Sequence, residues 1–270
     1  MNSLFRQLRS EWARGRGRPV EKYAGAVVIV LGAMMPIVMI VISSRNSLMQ
    51  KSALESLAFP ESFRAARTVA ALLGPFWAAV LGANIVGAEY QYVTWPWLLV
   101  RSSSRLRLVV IKLVSVALRI VALTFVGIGT FVVVGAGAAT LMGAPLTGES
   151  MTLSQMAIPF VGVTGAMAFA ASIGFTITIV TRSVAFGTLT GALALPLFSA
   201  IRFKETAAWI PYVHLDNLQT RLLTGQASPF LKQAYDFQMS GRASVGILAI
   251  ELLVVLGIAL AVFRKQEIVY

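Results

Sequence analysis

The chain contains no cysteine. That absence excludes disulfides, thiolate metal sites and cysteine nucleophiles together. Histidine occurs once, at His214. A lone imidazole beside Asp216 lacks the partners that a zinc site or a catalytic triad requires, and the pair reads as a surface feature. Acidic side chains are also scarce, 11 against 23 lysines and arginines, and all charged residues together make up only 13% of the chain. The sequence has no Gly-x-x-x-x-Gly-Lys phosphate loop, no His-Glu-x-x-His and no Gly-x-Ser-x-Gly, so the common nucleotide, zinc-protease and serine-hydrolase signatures are missing. No catalytic residue and no metal ligand is assigned, and the chain is not read as an enzyme.

What is present is apolar surface. Hydrophobic residues fill 57% of 270 positions and the mean hydropathy is +0.77, values that belong to a bilayer rather than to water. A spanning helix needs about 20 apolar residues. Six segments meet that length: Ala24 to Ile42, Val69 to Gly87, Leu108 to Val134, Met156 to Val180, Val184 to Ile201 and Val245 to Phe263. The expectation is an all-α integral membrane protein with six transmembrane helices. Residues 1–23 would form a basic amphipathic helix and residues 24–270 the membrane domain.

The net charge of +12 does not indicate nucleic acid, because the arginines flank apolar runs instead of clustering with aromatics on a soluble surface. Topology accounts for them. Arg6, Arg9, Arg14, Arg16, Arg18, Lys22, Arg101, Arg105, Arg107, Lys112, Arg182, Arg264 and Lys265 fall on the side that holds the ends of a six-span chain. The positive-inside rule then puts both termini in the cytoplasm. The run Ala24 to Ile42 is longer than a signal-peptide core and no Ala-x-Ala follows it, so it is read as a retained span.

Leu4, Phe5, Leu8 and Trp12 recur at helical spacing before the first span, with Arg6, Arg9 and Arg14 on other faces. That pattern predicts an interfacial helix that meets lipid headgroups or an acidic partner. A short external helix is expected over Ser47 to Leu57. The segment 202–242 mixes apolar patches with Pro211, Gly225 and Pro229, as short helices dipping into the outer leaflet would. Glycines 127, 129, 135 and 137 in the third span, 162, 165 and 174 in the fourth, and 187 and 191 in the fifth predict close helix packing.

Two ionisable residues fall deep within spans. Arg119 lies 12 positions beyond Arg107, and Glu251 lies 12 positions before Phe263, which places both about 18 Å from the cytoplasmic ends of their helices. Equal depth and opposite sign predict an ion pair clamping the third span to the sixth, since an unpaired charge there costs at least about 2.5 to 3.5 kcal/mol. The competing role for Glu251 is that of a proton- or substrate-coupling carboxylate. Met34-Met35-Pro36, Met39, Phe76, Trp77 and Asn84 are the candidates for lining a cavity, because a kinked, Met-rich wall adapts to amphipathic cargo. Ordinary packing explains each of them equally well.

The polar insert from Gly87 to Lys112 remains. Thr94 before Trp95-Pro96 supplies a cap and a first-turn proline, and Ser103 or Ser104 can cap the third span. The product is a short helix across the membrane face, with Trp95 and Trp97 at the interface, Arg101, Arg105 and Arg107 around it, and Glu89 ahead of it. With Glu89, Val93-Thr94, Leu98-Leu99, Ser104-Arg105 and Lys112, this insert resembles the pattern in type-2 permease subunits of ATP-binding-cassette exporters. Val93 stands where those subunits have glycine, and Ser102 where they have proline.

The resemblance implies a multi-pass subunit of a bacterial inner membrane, working as a pair of permeases, identical or homologous, with two ATPase subunits. Segment 89–107 would be the coupling helix, with Glu89, Thr94, Trp95, Arg101 and Arg105 as its contact residues. ATP and magnesium would bind on the partner chains and no cofactor on this one. Two other classes remain open from the residues themselves: an ion-coupled carrier using Glu251, and a structural membrane scaffold.

Overall fold

The computed structural model describes residues 2–17, 19–101, 104–144, 151–200, 211–224 and 240–266, and the regular structure among them is entirely helical. The helices are α1 (Asn2–Gly17), α2 (Pro19–Ser43), α3 (Ser47–Leu57), α4 (Glu61–Gln91), α5 (Trp95–Arg101), α6 (Arg105–Leu141), α7 (Leu153–Thr181), α8 (Val184–Ala200), α9 (Pro211–Thr224) and α10 (Gly241–Lys265).

Five of them, α2, α4, α6, α7 and α10, are long and apolar enough to cross a membrane. The fifth expected span corresponds to α8, which has 17 residues. Ile201 lies outside the described residues, as do 202–210 and 225–239 of the long segment before the last span.

Local chemistry explains the boundaries. Pro19 opens α2, where its missing N–H costs nothing. Asn46 caps α3 by accepting from Leu48 N at 3.0 Å, and Ser104 caps α6 by accepting from Arg107 N. Thr152 and Gln155 form a capping box on α7. Two helices close with the same pair of crossed backbone bonds. At the end of α6, Gly143 N–H donates to Thr140 O at 3.0 Å and Ala144 N–H to Ala139 O at 2.9 Å, with Gly143 at φ +81°. At the end of α4, Val93 N–H donates to Tyr90 O at 3.3 Å and Thr94 N–H to Glu89 O at 3.0 Å, with Val93 at φ 52°. The motif calls for glycine at the left-handed position. In α4 it is met by a β-branched residue, at a cost of about 1–2 kcal/mol.

α7 is the central helix, with α4 and α8 against it. Their backbones approach closely enough that a methyl group on Gly82 would lie 2.1 Å from Ala171 O, and one on Gly187 would lie 2.6 Å from Gly174 O. Gly174 and Gly191 sit in the same seam, as expected, whereas Gly129 and Gly137 of α6 face open space. Ile85, Val86, Val116, Ile120, Met167, Phe175 and Ile179 fill the core among α4, α6 and α7. Outward, α2 exposes Val30, Met34, Ile37 and Val41, and α10 exposes Ile250, Leu253 and Val254. Such unbroken apolar faces suit acyl chains.

The two ends of the bundle differ. At one end α3 lodges Leu57 against Phe131 and Ile128, and α9 ties to α10 through Asn217 Nδ2, which donates to Ser244 Oγ at 2.9 Å. His214, expected on a surface, is fully buried in α9. At the other end lie α1, α5, the starts of α6 and α8, and the last turns of α4, α7 and α10. That end holds the polar insert.

Candidate functional site: the joint around Lys112

Lys112 lies two turns into α6 and is fully buried. Its ammonium group uses all three donors, toward Glu89 Oε1 at 2.7 Å, Ile85 O at 3.2 Å and Glu11 Oε1 at 3.3 Å. The Trp95 ring covers it, with Nζ 5.5 Å from the ring centroid. Both carboxylates are nearly inaccessible, with side-chain exposures of 4% for Glu89 and 5% for Glu11. One cation therefore joins α1, α4 and α6 beneath the first residue of α5.

Such a cluster is held by charge-assisted hydrogen bonds, which are roughly twice as strong as neutral ones. It also carries the desolvation cost of three ions, which is repaid only if every donor and acceptor is satisfied. The Thr94 hydroxyl meets part of that demand by donating to Glu89 Oε2. Arg14 approaches the outer side of Glu11, with 3.4 Å between Nη1 and Oε1.

Trp95 bolts the insert to the bundle. It is 2% exposed and packs between Tyr90, with ring centroids 5.7 Å apart, and Phe263, at 4.6 Å. Arg105 closes the other side. Its Nη1 donates to the carbonyls of Phe263 at 3.2 Å, Arg264 at 3.2 Å and Gln266 at 3.1 Å, acceptors that the end of α10 would otherwise leave to water. The Gln266 side chain accepts from the Tyr90 hydroxyl at 2.6 Å and donates to Ile179 O at 2.6 Å. The ends of α4, α6, α7 and α10 are thus tied at one place.

The outer face of the insert is the reverse of its inner face. Tyr92, Val93, Trp97 and Val100 are 73%, 60%, 71% and 74% exposed. α5 consequently has one side anchored in the core and the other side open, aromatic and apolar.

Of the five residues assigned to the insert, Glu89, Thr94 and Trp95 lie inside the joint. Arg105 reaches across to α10, and Arg101 closes α5 with its side chain outside the described set. The Thr94 hydroxyl donates to Glu89.

The expected ion pair between Arg119 and Glu251 is not formed. Arg119 donates from Nη2 to the Glu11 carbonyl at 3.0 Å and lies over the Trp12 ring at 5.7 Å. Glu251 faces inward from α10, and its Oε2 is buried with no hydrogen-bond partner among the described residues. Equal depth did not bring them together because azimuth decides contact. Arg119 is seven residues from Lys112, hence on the same face of α6, and that face receives α1.

The stripe Leu4, Phe5, Leu8 and Trp12 of α1 was expected to lie at the acyl boundary; Phe5 is 75% exposed, while Glu11 is at the face turned to the bundle. Lys112 was named in the pattern of the insert but given no role in the site, and Glu11 was not singled out. The available signal was a lysine inside an apolar helix and an isolated acid in a basic one.

The cavity candidates also separate. Met35 and Met39 pack beside Phe131 and Leu57, Phe76 is 49% exposed, Asn84 is half-buried on α4, and only Trp77 lines the apolar cavity found between α2 and α4. Among the described residues no group of three His, Asp or Glu side chains is placed to hold a metal ion.

Five helices long and apolar enough to cross a membrane define the protein as a helical membrane protein. The chain belongs to the family described as "Protein of unknown function (DUF2705)", whose model matches residues 30–269. No curated protein and no solved structure matches the chain.

Proposed function

We propose that the protein is the membrane-spanning permease subunit of an ATP-binding-cassette exporter, with segment 89–107 as the helix that couples it to a separate ATPase subunit. The observation that carries this reading is the two-sidedness of α5. Its inner face is fixed by Trp95 and Lys112, so a push on the helix is transmitted to α4, α6 and α10 rather than absorbed locally. Its outer face offers Trp97 and Val100 to a partner, and aromatic side chains of this kind anchor protein interfaces.

In this reading α8 completes six spans, both termini are cytoplasmic, and the protein resides in a bacterial inner membrane. Two permeases, each this chain or a homologue, would enclose the path, and two ATPase subunits would hold ATP and magnesium. Closure of the ATPases around nucleotide would drive the change of access, since a ligand shifts an equilibrium by its difference in affinity for the two states. The basic face of α1 would meet anionic lipid.

The test is co-purification of the tagged chain from its native membrane in mild detergent. An ATP-hydrolysing subunit is expected in stoichiometric amount, retained by the wild type and lost from Trp97→Ala/Val100→Ser with the thermal midpoint unchanged. A chain that purifies alone, or equal retention by the double variant, refutes the reading. The partnerless Oε2 of Glu251 favours a second reading, an ion-coupled carrier. That one requires pH-dependent transport by the purified chain alone, abolished by Glu251→Gln.

A further inference from the structure

Two cations compete for one oxygen of Glu11. Its Oε1 lies 3.3 Å from Lys112 Nζ, inside the joint, and 3.4 Å from Arg14 Nη1, on α1 itself. The two cations differ in what else they can reach. Lys112 is sealed in the bundle, whereas the Arg14 side chain is 42% exposed and stands at the border between the two flanks of its helix. At 3.6 residues per turn, Gln7 and Glu11 fall on the flank turned to α6, while Arg6, Arg9 and Ala13, all exposed, fall on the other.

The hold of α6 on that inner flank is polar and incomplete. Lys112, Ser115 and Arg119 share one face of α6, and both cations engage Glu11, through its side chain and its carbonyl respectively. Gln7 Oε1 and Ser115 Oγ are buried with no hydrogen-bond partner among the described residues, and such groups carry a desolvation cost that no bond offsets. An element seated in this way is one that can leave.

Release would strand neither Lys112 nor Glu11. Lys112 keeps Glu89 at 2.7 Å and Ile85 O at 3.2 Å, and Glu11 keeps Arg14 three residues on. What the released state gives up is the hold of Arg119 on the Glu11 carbonyl and the Trp12 ring, so the seated state is the resting one. The helix cannot travel far, because only position 18 separates its end at Gly17 from the start of α2 at Pro19, and α2 is long and apolar enough to span a membrane. The charged surface within reach of α1 is that of the bilayer.

We propose that Arg14 binds the headgroup of an anionic phospholipid, and that this binding keeps α1 seated on the joint. The logic is one of exchange. In the released helix Arg14 and Glu11 neutralise each other; in the seated helix Lys112 and Arg119 set two positive charges against the two carboxylates, and the charge of Arg14 is left over for a phosphate. An anionic headgroup favours the seated state by that difference, and only by a difference can a ligand shift an equilibrium. One basic side chain at an anionic surface corresponds to about a fivefold change in the equilibrium. Arg6 and Arg9 add attraction in both states without selecting between them. The proposal needs no ATPase partner, so it and the exporter reading fail separately.

The test uses the lack of cysteine in the chain. Ser115→Cys, at a position 1% exposed between Lys112 and Arg119, gives the full chain a single thiol that reacts with a water-soluble maleimide when α1 leaves. Rates are measured in nanodiscs of phosphatidylcholine alone and of phosphatidylcholine with phosphatidylglycerol. Reaction is expected to be about fivefold slower with phosphatidylglycerol. Arg14→Gln should abolish that difference, Arg9→Gln should preserve it, and Glu11→Gln should speed the reaction in both discs. Equal rates in the two lipids, or a difference that survives Arg14→Gln, overturns the proposal. So does a Glu11→Gln chain that fails to react, which would mean that α1 does not leave. Slowing in pure phosphatidylcholine by inorganic phosphate at matched ionic strength would assign Arg14 to a soluble anion and overturn the lipid as its ligand.

Discussion

Lys112→Met removes the cation that bridges Glu11 and Glu89 while keeping an unbranched side chain of similar length. Glu89 would keep its bond from Thr94 and Glu11 its contact with half-exposed Arg14, but both carboxylates would stay in positions that are 4% and 5% exposed. Breaking a buried pair by deleting one partner costs about 3–5 kcal/mol. Against a typical total of about 5–15 kcal/mol, that is a large share. Thermal unfolding in detergent, followed by circular dichroism, should show a clear loss for K112M. The triple variant E11Q/E89Q/K112M provides the control. It removes the stranded charges together with the cation and should recover most of the loss, because what destabilises the single variant is an uncompensated charge rather than lost packing. A K112M protein as stable as the wild type would refute the argument. So would a triple variant no better than the single, since the cost would then lie in the shape of the side chain.

Val93→Gly should raise stability by about 0.5–1 kcal/mol, the balance of about 1–2 kcal/mol of left-handed strain relieved and roughly 0.5–1 kcal/mol of added chain entropy; an unchanged or lower unfolding midpoint would contradict this. Gly82→Ala puts a methyl 2.1 Å from Ala171 O, and since the atom it meets belongs to the backbone of α7 the helices must separate. The expected loss is about 1–3 kcal/mol in the same assay, with Gly137→Ala, which meets open space, as the neutral comparison.

The helical class and five of the spanning segments were legible because apolar length is a property of consecutive residues. The helix at Ser47–Leu57 and the Ser104 cap were also readable, each being set by neighbours in sequence. The joint was legible in part. The insert stood out as polar between apolar runs, but which of its residues point inward depends on the azimuth of α4, α5 and α6 about one another. Trp95 and Trp97 looked alike in sequence, yet one is buried and the other is 71% exposed. Glu11 was hidden for a related reason. The surface stripe drawn on α1 ignored the possibility that its acid is neutralised by a lysine 101 residues away.

The sealing of Lys112 also separates the joint from the ionic composition of the surrounding solution. Mobile ions screen charges that water can reach, over about 8 Å at physiological strength, but they cannot enter between groups that are 0%, 4% and 5% exposed. The exposed Arg6 and Arg9 of α1 are open to such screening. Added salt should therefore weaken the hold of α1 on a charged surface while the joint keeps its rigidity, so that one short helix is sensitive to salt on its outer face and indifferent to it on its inner face.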